Sequence, residues 1–467
     1  MTSSLTPAGL PPEEFVARRD RVYDAIGPEA VALIQGAGPT RGFELFRQTN
    51  EFLYLSGLAA PQAYLLLDGR SRRTALYLPH RSPHAGSEGE SLGAEDVAPI
   101  QALTGVEAVY GLEALAEHLA GVRHLYTPHS PAEGRQGCRD ELLRAAKAIA
   151  ADPWDAAPSR EERFIGLLCE RVPNLEIHDL SPLLDAMRLI KSPREVAIMR
   201  RAGELTARAV VEAMRSTRPG VMEYELGAVA DYVFRVNGAR MEGYRAIIAG
   251  GKNIWYAHYY RNDCPLLDGD LALMDYAPDV CNYTSDIGRM WPVNGVYSPV
   301  QRELYGFIVQ YHKVVLGRIR PGVLPEQILA EAAEEMRPIV EGTAFSKPIY
   351  QEAARRTLDW RGHLSHPVGM AVHDVGSYFD RPLEPGLVIS IDPSLWVPEE
   401  RLYIRVEDTV AVTEEGVEVL TALAPLDLDD VEAVMREDGL LQQFPPVAHP
   451  KPHPPPHHGP SGPASPS

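Results

Sequence analysis

Five residues spread along the C-terminal half carry the chemistry: Asp275, Asp286, His366, Asp392 and Glu407. Asp275 and Asp286 stand 11 positions apart in LMDYAPDVCNYTSD. His366 sits in HLSHPVGMAVHDVG, Asp392 in ISIDPSLW and Glu407 in YIRVEDTV. Four carboxylates and one imidazole can hold two divalent metals, with some carboxylates bridging. Two close metals generate hydroxide near neutral pH and stabilise the tetrahedral intermediate of amide hydrolysis. The set therefore points to a dinuclear metallopeptidase. Its oxygen-rich donors with a single nitrogen favour Mn²⁺ or Co²⁺ over a thiolate-type zinc site.

Positioning them requires strands. In LALMDY, Leu271, Leu273 and Asp275 share one face; in LVISID, Val388, Ser390 and Asp392 do; in YIRVED, Arg405 and Glu407 face together, opposite Ile404 and Val406. A carboxylate ending an apolar strand is costly to bury without a cation. Several converging on one pocket would repel each other, and two metals remove that cost. Taken singly, each acid reads as a solvated turn residue and the histidine as structural; only the joint pattern carries the reading. Asp268-Gly269-Asp270, by contrast, is plain turn chemistry leading into a strand.

The 467 residues suffice for two or three domains with real cores. From about Val31, VALIQG, NEFLYLSGL, AYLLLDG and TALYLP read as strands, and ALAEHLAG and ELLRAAKAIAAD as helices, which predicts an α/β domain. Near Leu180 the pattern shifts. Ser192 is an N-cap, Pro193 opens a long helix and Glu195 completes a capping box. A second region mixes helices with LALMDYA, SDIGRMWPV, LVISIDPSLW and YIRVEDTVAVT. The segment QQFPPVAHPKPHPPPHHGPSGPASPS, from Gln442 on, cannot bury a core and is predicted disordered.

A formal net charge of −19, with no long Lys/Arg run, argues against nucleic acid and anionic membranes as partners. Cys138, Cys169, Cys264 and Cys281 show no CxxC spacing and read as reduced thiols. The N-terminal MTSSLTPAGLPPEEF has neither the charged nor the apolar region of a secretory signal, and no apolar stretch is long enough to span a bilayer. These features predict a cytoplasmic protein.

At the five residues the chain resembles the creatinase/prolidase/methionine-aminopeptidase superfamily, and within it the aminopeptidase P (Xaa-Pro aminopeptidase) family. FELFRQTNEFLYLSGLAAPQAYLLL resembles that family's N-terminal domain, and IKSPREVAIMRRAGELT its inter-domain helix. GGKNIWYAHYYRND, DGDLALMDYAPDVCNYTSDIGRMWPVNG and LSHPVGMAVHDVG match its catalytic motifs in order. The resemblance implies an α/β N-terminal creatinase-type domain over 1–178 and an α+β pita-bread catalytic domain over 179–441, followed by the tail 442–467. It also implies hydrolysis of an N-terminal Xaa-Pro bond by two divalent ions, Mn²⁺ first, with Co²⁺ or Zn²⁺ as alternatives. By position, Asp286 and Glu407 would bridge the metals, Asp275 complete one site, and His366 and Asp392 the other. His258 and His373 match two histidines near the scissile peptide, and Arg405 an arginine that holds a bridging carboxylate. A homodimer or homotetramer acting on peptides with proline second is the implied assembly and substrate.

The match breaks in two places. The family has Glu-Pro-Gly where this chain has Asp392-Pro393-Ser394. That glutamate is both a ligand and the proton acceptor for the attacking water. Aspartate is shorter by one methylene, roughly 1.5 Å of reach, and a misplacement near 1 Å can cost on the order of 10²-fold in rate. The family's histidine four positions before the ligand histidine is Gly362 here, with His363 three before it and Pro367 at a position where a bulky residue is common. The family's histidine lines the proline-side pocket, so its absence bears on substrate preference, and His363 is read as a pocket residue. Two alternatives stand beside the leading one: a prolidase restricted to dipeptides, which the N-terminal domain and pocket loops would decide, and a catalytically weakened binding protein of the same fold.

Overall fold

A computed structural model describes residues 9–40, 42–81 and 92–447. Residues 1–8, the start of the segment read as lacking a secretory signal, and 448–467, most of the tail read as disordered, lie outside the described residues.

The first half is built on one mixed sheet of six strands: β1 (Ala30–Gln35), β2 (Tyr64–Asp68), β3 (Arg73–Leu78), β4 (Ala108–Gly111), β5 (His124–Thr127) and β6 (Glu176–Asp179). Their order is β4-β3-β2-β1-β5-β6, antiparallel between β1, β2 and β3 and parallel elsewhere. Leu33, Leu66, Tyr77, Leu125, Phe164 and Leu168 form one of its apolar clusters. The expected strand NEFLYLSGL is instead the helix Asn50–Ser56. All seven of its residues are buried, so no polar face marks a helical period, and Gly57 ends it in the left-handed region at φ 70°.

The helix Pro193–Ser216 begins where the sequence predicted, with Glu195 N donating to Ser192 Oγ and Ser192 N to Glu195 Oε2. Glu195 is also buried against the first domain, accepting from Tyr283 and pairing with Arg18 at 3.2 Å.

The second half carries β7 (Met241–Glu242), β8 (Ile247–Gly250), β9 (Leu271–Asp275), β10 (Pro278–Asp279), β11 (Ile287–Pro292), β12 (Val388–Ile391), β13 (Ser394–Val397), β14 (Leu402–Arg405), β15 (Glu407–Val412) and β16 (Val417–Val419). The main sheet runs β12-β15-β11-β9-β8 with β16 beside β15; β13 and β14 form a separate pair. All residues of β9, β11 and β15 are buried. Two sequence segments read as single strands are each broken. LVISIDPSLW splits after Ile391, where Asp392-Pro393 turns the chain, and YIRVEDTV splits at Val406. Arg405 thereby pairs with Ser394 in the small hairpin while Glu407 pairs with Gly288 in the main sheet. Gln442 and Gln443, read as tail, close the short helix Leu440–Gln443, where Gln442 Nε2 donates to Ser216 O. Among the described residues no helix is long and apolar enough to cross a membrane.

Candidate metal centre

Asp275 ends β9, Asp286 precedes β11, Glu407 opens β15, and Asp392 follows β12. β11 pairs with β9 on one side and β15 on the other, so three carboxylates arrive from adjacent strands. Asp286, His366 and Glu407 present ligand atoms within 4.8 Å of one another. His366 Nε2 lies 3.3 Å from Asp286 Oδ2 and 3.9 Å from Glu407 Oε1, while its Nδ1 faces Pro367 O at 3.1 Å. That arrangement leaves Nε2 as the nitrogen turned towards the carboxylates and able to ligate.

Arg405 ties the carboxylates together. It hydrogen-bonds Asp275 Oδ2 and lies 3.3 Å from Glu407 Oε2 and 3.8 Å from Asp392 Oδ2. One cation does not neutralise four acids. Burial pushes Asp275 up to about 7 and Asp392 up to about 6, and drives Glu407 well above the carboxylate range, with Asp286 adding to each. Burial opposes the charge of Asp286, but the His366 hydrogen bond together with the charges of His366, Arg405 and His373 outweighs it and holds that acid down at about 2. His366, whose charge burial disfavours, is raised by the same pair.

Asp392 Oδ1 and Glu407 Oε2 are buried with no hydrogen-bond partner. Buried carboxylate oxygens without partners are costly. Five side chains able to ligate, two buried oxygens without hydrogen bonds and a deficit of positive charge together fit divalent cations.

A cavity of about 510 Å³ opens over the centre. It is lined by all five candidate ligands together with His258, His373 and Arg405. His373 stands 4.2 Å from His366 and 5.9 Å from His258, ring centre to ring centre. Burial lowers both outer histidines, His373 to about 4 with the charge of His366 contributing. His363 does not reach this cavity. It stacks on Phe379 at 4.4 Å and lines a neighbouring cavity of about 530 Å³ with Tyr311, Trp360 and Trp396. Asp392 lines both, standing between them.

Several site residues were not foreseen. Tyr244 OH meets both Asp275 Oδ1 at 2.7 Å and Asp286 Oδ1 at 2.9 Å, and so orients two acids with one hydroxyl. Ser390 Oγ donates to Glu407 Oε1 at 2.5 Å; Ser390 shares the strand face read for Asp392, which was the available signal. The first domain supplies Gln136, Cys138 and Glu141 to the cavity wall. Asp140 approaches His373 Nδ1 at 3.8 Å. Burial raises the Cys138 thiol to about 12. Nothing in the local pattern around 136–141 marks these residues, because only domain packing brings them here.

The chain is similar to known proteins over most of its length. The model for metallopeptidase family M24 matches residues 197–414, and that for the aminopeptidase P N-terminal domain matches 15–126. The Xaa-Pro aminopeptidase of Haemophilus influenzae is 32% identical over 92% of this chain and 98% of its own length. That of Escherichia coli is also 32% identical, over 91% of this chain and 97% of its own. The solved structure of E. coli aminopeptidase P with the inhibitor Pro-Leu superposes with a TM-score of 0.73 at 29% identity, covering 91% of this chain and 98% of that one.

Proposed function

Because the chain belongs to metallopeptidase family M24, in its Xaa-Pro aminopeptidase branch with the pita-bread fold, we propose that it is a metalloexopeptidase that hydrolyses the N-terminal Xaa-Pro bond of peptides with two divalent ions, Mn²⁺ first. The observation that carries this reading is the convergence of four carboxylates and His366 on one cavity, with Asp392 Oδ1 and Glu407 Oε2 receiving no hydrogen bond.

In this reading Asp275, Asp286, His366, Asp392 and Glu407 would hold the two ions, with Asp286 and Glu407 shared, Asp275 assigned to one and His366 and Asp392 to the other. Ions bound there would supply a water acidified towards neutral pH and a Lewis acid for the scissile carbonyl. Asp392, whose Oδ1 has no hydrogen-bond partner, would accept the proton of the attacking water at that atom. His258 and His373, both held below the usual imidazole range, are neutral near pH 7. Each can offer an N–H to the oxygen on which charge develops. Arg405 fixes the orientation of Asp275 and Glu407. Proline suits this arrangement because its tertiary amide has no N–H for a site to recognise. We divide the chain into an N-terminal domain over 1–178, a catalytic domain over 179–441 and a tail. The unpaired cysteines support a reducing, cytoplasmic setting.

The test is hydrolysis of Ala-Pro-Ala and Ala-Pro after Mn²⁺ loading, with Asp275→Asn as control. Alanine released from the tripeptide, and lost in the control, supports the aminopeptidase. Cleavage of the dipeptide alone assigns a prolidase instead. A protein that cuts neither, and holds only background metal, is the binding relative.

A further inference from the structure

A second group of metal-ligating side chains lies on the first sheet, formed by residues of β5 and β6 that have no part in the centre above. His124 on β5 is register partner to Glu176 on β6, and Tyr126 to His178. Glu176 and His178 are two residues apart, so they share a face, and the pairing puts His124 and Tyr126 on that face. The intervening Leu125 is fully buried in the apolar layer beneath. The four side chains therefore stand on a rigid ladder, directed away from the core.

One ligand atom from each of His124, Glu176 and His178 lies within 4.8 Å of the other two, and the Glu176 carboxylate faces one ring with each oxygen. His178 Nε2 lies 3.5 Å from His124 Nδ1. Glu176 places Oε2 3.4 Å from His124 Nδ1 and Oε1 3.6 Å from His178 Nε2. A tetrahedral zinc ion bound at its usual distances to nitrogen and oxygen separates neighbouring ligands by roughly 3.3–3.6 Å. The rings are also oriented: Tyr126 stacks on His178 at 4.8 Å, and the two histidines stack on each other at 5.7 Å, both at 27°.

We propose that His124, Glu176 and His178 bind a divalent cation of the zinc class, separate from the catalytic pair. Two imidazoles and one carboxylate suit Zn²⁺, Co²⁺ or Cu²⁺ more than Mn²⁺. The half-exposed setting leaves the fourth position to water. Since β6 is the outermost strand of its sheet among the described residues, the cation joins this edge strand to β5 and stabilises their pairing. Binding to the folded state alone stabilises it by mass action.

The test uses the full chain with its catalytic centre saturated with Mn²⁺, titrated with Zn²⁺ in a calorimeter. The wild type is compared with the His124→Ala/His178→Ala double variant and with Glu176→Gln. Histidines of the C-terminal tail are common to all three proteins and cancel in the difference. The expected result is one zinc equivalent present in the wild type, lost in the double variant and weakened in Glu176→Gln, with a zinc-dependent rise in Tm that follows the same order. Co²⁺ should give a tetrahedral visible absorption band in the wild-type-minus-variant spectrum. Identical titrations in all three proteins overturn the proposal and leave the two rings joined only by an N–H···N hydrogen bond. If the double variant does not fold, Glu176→Gln and a single His178→Gln decide the question by the same difference.

Discussion

Arg188 and Asp374 form an ion pair of 2.5 Å in which each side chain is only 1% exposed. Asp374 follows His373 in the chain, and Lys191 holds its other oxygen at 3.1 Å. Arg188 also reaches Glu133 at 2.6 Å, a residue of the first domain. From the same domain, Arg47 and Asn50 donate to Met370 O at 3.0 and 3.2 Å. The loop from His366 to Asp374 is thus gripped by groups outside the catalytic sheet. Removing one partner of a buried pair leaves an uncompensated charge. Arg188→Met is expected to cost roughly 3–5 kcal/mol, read as a lower urea midpoint at unchanged m. A loss below about 0.5 kcal/mol, the range of ordinary surface substitutions, would remove the pair from any structural role.

Tyr244 links the two halves of the proposed centre through one hydroxyl. Tyr244→Phe keeps the ring in its apolar setting and deletes only that oxygen. Loss of a group that orients ligands typically lowers metal affinity by roughly 10–100-fold. We expect that drop for Mn²⁺ by calorimetry, with Tm of the metal-free protein little changed. Equal affinities would mean the acids are aligned without it.

Asp392 is assigned both ligand and proton acceptor. Asp392→Asn keeps size and shape but removes the charge and the basicity. Losing a general base costs on the order of 10²–10⁴-fold, expected in kcat for Ala-Pro-Ala, with KM changed far less. A variant within a few fold of wild type would move the proton to another group.

The metal-free protein should respond to pH in a characteristic way. Burial raises Asp275 to about 7 and Asp392 to about 6, against an unfolded value of about 3.9. Between those limits the native state holds protons that the unfolded chain has released, so unfolding becomes easier as pH rises. Stability contributed by the protonated acids is complete below about pH 4 and lost as pH passes through about 6 to 7. Urea midpoints of chelator-treated protein should fall across that window, and saturating Mn²⁺ should abolish the fall. A metal-free midpoint that rises instead would contradict the protonated state of these acids.

The candidate ligands were legible because each acid stands at or beside the end of an apolar strand. In β9, Asp275 follows a run of residues that is otherwise uniformly apolar, and an unexplained charge there demands a cation. The long helix after Ser192 was legible for a similarly local reason, since its cap uses side chains three positions apart. The helix Asn50–Ser56 was not, because complete burial erases the polar face that distinguishes a helix from a strand. The breaks at Asp392 and Val406 were also hidden, since alternation continues across both while pairing changes partner.

The sequence by itself determined which residues could ligate metal, in what order they arrive, and that nothing else nearby would tolerate so many buried acids. Ligand chemistry and strand periodicity are local properties that the chain carries residue by residue. Only the tertiary structure decided that one arginine, Arg405, serves three of those acids, that Tyr244 joins Asp275 to Asp286, that the first domain walls the cavity with Cys138 and Glu141, and that His124 meets His178 across 54 residues. Those are distances between segments far apart in the chain, set by how whole layers pack, and no short-range pattern encodes them.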